Sequence, residues 1–205
     1  MGSAIAARLR SDGWDVVAAG RKDGDVSRPD EAKQLIERTA QELGGLDLLV
    51  NAASEGFAPK DPLELDERDW ELAFGATAKG SFFVTQAAAP ALREARGTVG
   101  MIEDVAAYQP WPSFAAHSAA KAAQAMLTRV FARALAPEVR VCGVAPGSVA
   151  VEPGQEERRA AETVLGRIGT PEDVAGAVVY LAGAEFVTGS SLVVDGGRLL
   201  QSTLP

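Results

Sequence analysis

The sequence predicts a doubly wound α/β domain, a parallel sheet with helices on both faces. Short apolar runs alternate with helical patterns of about ten residues or more, a spacing that suits crossover connections and not hairpins. Turn-forming and polar residues follow each apolar run, where ligands of such sheets bind. No linker of distinct composition divides the 205 residues, so residues 1–205 are expected to form a single domain. A domain of this size buries roughly 70% of its unfolded surface and needs no staples.

The elements follow in order. Ala4, Ile5, Ala7 and Leu9 mark a short helix over residues 3–11, ended by Asp12-Gly13. Residues 14–19, centred on Val16 and Val17, read as a buried strand. Arg28-Pro29-Asp30 opens a helix carrying Ala32, Leu35, Ile36 and Ala40 at helical spacing as far as Gly44-Gly45. Residues 46–50 form a strand, about 67–93 a long helix, and 97–102 a strand. A helix over about 113–135, a strand at 139–144, a helix from Thr170-Pro171-Glu172-Asp173 to about Leu181 and a last strand at 191–194 complete the pattern. The Thr cap, the Pro at the first position and the acids of the first turn make that last helix start well specified.

Composition narrows the function. Twenty Lys and Arg against 28 Asp and Glu give a net charge of −8, and the basic residues are scattered, which argues against a nucleic-acid partner. Cys142 is the single cysteine and makes no internal disulfide. No apolar run reaches the ~18 residues of a spanning helix, so no membrane partner is expected. Arg8, Arg10 and Asp12 fall where a signal peptide would be apolar, and a cytoplasmic location is expected. No metal site is expected.

Asn51-Ala52-Ala53-Ser54, Glu103-Asp104, His117-x-x-x-Lys121, Pro146-Gly147-Ser148-Val149 and the terminal Val194-Asp195-Gly196-Gly197 stand in register along the whole chain. In this order they resemble the short-chain dehydrogenase/reductase family. Asp104, thirteen residues before the tyrosine position, and Asn51-Ala-Ala-Ser are most similar to its pteridine-reductase-like branch. The resemblance implies nicotinamide-dependent reduction of a carbonyl or pterin-like C=N bond on a small-molecule substrate. It assigns Asp104, His117 and Lys121 to catalysis, and Gly2, Arg21, Asp25, Asn51, Ala52, Ala53, Lys121, Pro146, Gly147 and Val149 to cofactor binding. In this family a lysine four residues after the tyrosine shares its helical face and bonds the nicotinamide ribose.

Departures qualify this. His117 occupies the tyrosine position, Thr77 that of a relay asparagine, and Cys142 that of an asparagine. His117 is either a substitute acid between Asp104 and Lys121 or a residue that lines the cleft after the tyrosine was lost. Asp104 either serves chemistry or caps the next turn. The family's first strand and glycine-rich turn, which hold the pyrophosphate, have no counterpart before Met1-Gly2-Ser3. Residues 21–26 are too short for a crossover helix. The expected fold therefore lacks the first strand and has a shortened second-to-third strand connection.

Arg21 and Lys22 end the second run, and Gly20 stands where NAD users often carry Asp, so NADP(H) is favoured over NAD(H), with weakened binding. The alternative is a catalytically degenerate homologue acting as a structural or regulatory subunit. Alanine-rich faces (Ala87, Ala88, Ala89, Ala91; Ala115, Ala116, Ala119, Ala122) predict a homodimer or homotetramer through the two long helices. Residues 150–162, short and charged, are a small lid or a solvated connector.

Overall fold

In the computed structural model, which describes residues 1–55 and 57–201, four strands build one parallel sheet. They are β1 (Leu48–Asn51), β2 (Thr98–Ile102), β3 (Arg140–Pro146) and β4 (Ser191–Val194), in the order β1-β2-β3-β4. The helices are α1 (Gly2–Ser11), α2 (Pro29–Leu43), α3 (Glu67–Phe74), α4 (Gly80–Ala95), α5 (Ala115–Leu135), α6 (Glu156–Ala161) and α7 (Pro171–Gly183). Leu48 pairs with Thr98, and Val99 with Val141, which brings the carboxyl ends of β1, β2 and β3 to one rim.

Strand alternation divides the core in two. Leu49, Val99, Met101 and Val141 face α2, α4 and α5, where Ile36, Val84, Leu92, Phe131 and Leu135 pack. Ile102, Cys142 and Val144 face the other way, onto Ile5 and Leu9 of α1 and Val174, Val178 and Leu181 of α7. Helices thus cover both faces, as the α/β reading requires.

The helix signals act as expected. Pro29 and the acids Asp30 and Glu31 start α2, and Gly44, left-handed at φ 73°, ends it. Thr170 Oγ1 accepts from the Asp173 amide (3.2 Å) while the Thr170 amide donates to Asp173 Oδ2 (2.8 Å). Arg167, paired with Asp173 at 2.8 Å, holds that carboxyl far below the usual range.

Some expectations are corrected. Residues 14–19 lie alongside the sheet without joining a ladder. A strand exists through its pairing, and no chain stands between this run and β1 among the described residues. A cavity of about 710 Å³ lies there instead, lined by Ile5, Leu9, Val17, Leu35, Leu48 and Val50. Val16 still packs into the α1–α7 core. The long helix over 67–93 is α3 and α4 joined by a π-helical turn at Gly75–Lys79. That turn is built from Gly75, Ala76, Thr77 and Ala78, all buried. Residues 21–23 form one 3₁₀ turn in place of a crossover helix, and 150–162 contains the short α6. Ala88, Ala89 and Ala116 turn into the core and Ala87 and Ala91 pack half-buried against it, while Ala115 and Ala119 are half-buried and Ala122 is exposed.

Candidate active site

The rim at the carboxyl ends of β2 and β3 collects the predicted catalytic residues. Asp104 follows β2 and begins a 3₁₀ turn: its Oδ1 accepts from the Ala106 amide at 2.8 Å, and its Oδ2 lies 3.5 Å from His117 Nε2. Asp104 thus caps the turn with one oxygen and makes a long contact to the imidazole with the other. His117 sits in the first turns of α5, 4% exposed, and its Nδ1 has no hydrogen-bond partner among the described residues. Phe57 meets the ring edge-on at 4.8 Å and itself stacks on Phe114.

One turn further along α5, Lys121 is also 4% exposed. Its Nζ donates to Ile102 O (2.7 Å) and Gln124 Oε1 (3.0 Å). Burial pulls its pKa down from 10.5 to about 8, against the opposing fields of Asp104 and Glu103. The register of the helix therefore puts Lys121 in the site and not on a solvated surface. Thr77, in the π turn, is fully buried with Oγ1 3.3 Å from Ser54 Oγ.

The loop after β3 forms the opposite wall. The Gly147 amide donates to Val194 O (3.0 Å), and Gly147 abuts the Asp195 backbone so closely that a side chain would collide with it. Val149 bridges to Gly169. Arg198 closes this side: it donates to Ser148 Oγ (2.7 Å), pairs with Glu162 (2.9 Å) and lies 4.7 Å over the Trp111 ring.

The expected cofactor residues are only partly gathered. Gly2, at the start of α1, touches Ala52 after β1, and Ala53 follows. Asn51, in contrast, spends its side chain inside the protein, donating to Thr85 Oγ1 (3.0 Å). Arg21 is exposed and paired with Glu55. Asp25 accepts from the Ser27 hydroxyl (2.7 Å) and amide, which lower its pKa. The donor set fits a nicotinamide dinucleotide. Lys121 and the Pro146–Val149 loop would hold the nicotinamide half. The α1 N-terminus, uncapped by any side chain, would face the phosphates, and Arg21 and Lys22 the adenosine end.

Sequence reasoning missed Gln124, Arg198 and Trp111, and noted Glu103 in a strand-end motif without giving it a role. A polar residue three positions after Lys121 on an alanine-rich helix was the available signal for Gln124. Arg198 lies far along the chain from everything it touches.

Known proteins resemble this chain in sequence and in fold. A family model described as enoyl-(acyl carrier protein) reductase matches residues 19–198. The chain is 32% identical to tropinone reductase-like 3 of Erythroxylum coca over 228 residues, covering 96% of this chain and 88% of that one. It is 29% identical to dehydrogenase/reductase SDR family member 4 of Caenorhabditis elegans, covering 96% and 90%. The Thermoplasma acidophilum aldohexose dehydrogenase structure superposes with a TM-score of 0.90 at 26% identity, over 100% of this chain and 91% of that one. The chain belongs to the short-chain dehydrogenase/reductase family and is an oxidoreductase of that type.

Proposed function

We propose that this protein is an NADP(H)-preferring reductase of a carbonyl or pterin-like C=N bond, with His117 in place of the family's phenol. One observation carries the reading. The His117 imidazole is buried beside Asp104, and its Nδ1 has no partner among the described residues, an unmet donor or acceptor that supports a substrate heteroatom as its partner once Phe57 yields. When bound, the nicotinamide supplies or accepts the hydride. In reduction, the imidazolium gives the Nδ1 proton to the substrate oxygen or nitrogen, and in oxidation the neutral ring takes it back. Asp104, near Nε2, orients the ring and balances the imidazolium. Lys121 adds a fixed positive charge close to the reacting atoms.

Arg21 and Lys22 support the preference for a 2′-phosphate. The setting we infer is a cytoplasmic homo-oligomer formed by the outer faces of α4 and α5, where Ala122, Met126 and Val130 are exposed.

A second reading, a subunit without turnover, is favoured by Phe57, which packs edge-on against the imidazole and stacks on Phe114. Nicotinamide absorbance with a panel of ketones and pterins separates the two. The reductase reading expects His117→Ala to lower kcat by about 10²-fold or more. Equal inertness of wild type and His117→Ala, with turnover gained in His117→Tyr, would establish the second reading instead.

A further inference from the structure

The buried face of α5 carries His117, Lys121, Gln124 and Thr128, four, three and four residues apart. Alanines and Phe131 fill the rest of that face, and a leucine or methionine would occupy the volume of Gln124. A buried side-chain amide costs roughly 1–3 kcal/mol unless its hydrogen bonds are made. Gln124 is wholly buried and makes them: Nε2 donates to Ser81 Oγ on α4 (2.7 Å), and Oε1 accepts from Lys121 Nζ (3.0 Å). Lys121, which can only donate, fixes the oxygen end of the amide toward itself, and Ser81, itself 3% exposed, accepts from the other end. With Ile102 O taking a second ammonium proton, two of the three N–H donors of Lys121 are held by these acceptors.

We propose that Gln124, held by Ser81, is a positioning residue that fixes the orientation of the buried Lys121 amine and keeps it protonated. A fixed carbonyl oxygen stabilises the ammonium over the amine, whereas burial acts in the opposite direction. The charged groups facing Lys121 are Asp104 and Glu103 at the end of β2 and His117 on its own helix, while α4 brings the neutral Ser81. Glu103 is already engaged, accepting from Thr128 Oγ1 (2.6 Å) and Tyr108 OH (2.8 Å), with Gly143 leaving room for its carboxylate. Gln124 is thus the neutral acceptor that the ammonium has for itself. This inference rests on Lys121 being the site lysine of the reading above, and not on turnover.

The test is the titration of the Lys121 side chain in the full chain, followed by NMR with ε-¹³C lysine, the resonance being identified by its loss in Lys121→Met. Gln124→Met is expected to lower the Lys121 midpoint by about half a pH unit or more, and Gln124→Glu to raise it by about one unit. Ser81→Ala, which frees the amide to rotate, is expected to lower it by less than Gln124→Met. Circular dichroism reports folding. If Gln124→Met does not fold, Gln124→Glu and Ser81→Ala decide the question. Midpoints within about 0.2 units of wild type in the folded variants overturn the proposal. With turnover, the alkaline limb of kcat moves in the same directions. A chain without turnover leaves the titration result standing, so the two readings fail separately.

Discussion

Replacing Lys121 with methionine should change the pH dependence of stability in a calculable way. The folded chain releases the Lys121 proton near pH 8, whereas an unfolded lysine holds it to 10.5. Between these values the unfolded chain binds the extra proton, so stability rises with pH across the window. Below pH 8 both states are charged and the folded state bears the whole cost of burying the ammonium. The difference between the two values, at about 1.4 kcal/mol per pH unit, is on the order of 3 kcal/mol. Above pH 10.5 that cost is gone. Methionine fills similar volume without a charge; it leaves Ile102 O and Gln124 Oε1 without their donor, a loss that does not vary with pH. Urea unfolding of both proteins at intervals from pH 7.5 to 10.5 isolates the lysine. Tyr108 and Cys142, whose values burial raises, titrate in both proteins and cancel. Wild-type stability minus that of Lys121→Met is expected to climb by about 2–3 kcal/mol over the range. A difference flat to within about 0.5 kcal/mol would refute the buried ammonium.

Two further outcomes are expected. Glu55→Gln releases Arg21 for a 2′-phosphate and should lower KM for NADPH by about two- to fivefold, as an exposed pair allows, with KM for NADH unchanged; an equal change for both would remove Arg21 from the recognition. Light scattering at micromolar concentration should give a dimer or tetramer, and Met126→Glu, at an exposed position on α5, should give a monomer; a monomeric wild type would end the interface assignment.

What the sequence could reveal was what short stretches decide on their own. Thr170-Pro171 and the acids after it specify the α7 start through contacts within four residues, and Gly44 ends α2 through its own φ. The pairing of His117 with Lys121 was legible because one helix turn carries both. Residues 14–19 have the composition of a strand, but a ladder needs a neighbour, and composition does not report on neighbours. The π turn at Gly75–Lys79 has no local signal beyond small residues. The roles of Gln124 and Glu103 were hidden for another reason: Ser81 and Thr128, which satisfy these side chains, lie 43 and 25 residues away.

The gap beside β1 has a consequence for how the molecule comes apart. Among the described residues, the first 46 share no backbone hydrogen bond with the rest of the chain; the first such bond runs from the Thr98 amide to Asp47 O. α1 is held by α7 on one face and α2 by α4 on the other, through side chains alone. Opening this portion breaks apolar contacts but leaves every rung of the sheet intact. It is therefore expected to open at a lower free energy than the β2–β3 centre, which amide hydrogen exchange along the chain would report. Gly44 and Gly45, both at positive φ, end the segment. Because the opened form keeps its sheet, the Asp104–His117–Lys121 rim outlives the loss of the segment that carries Arg21.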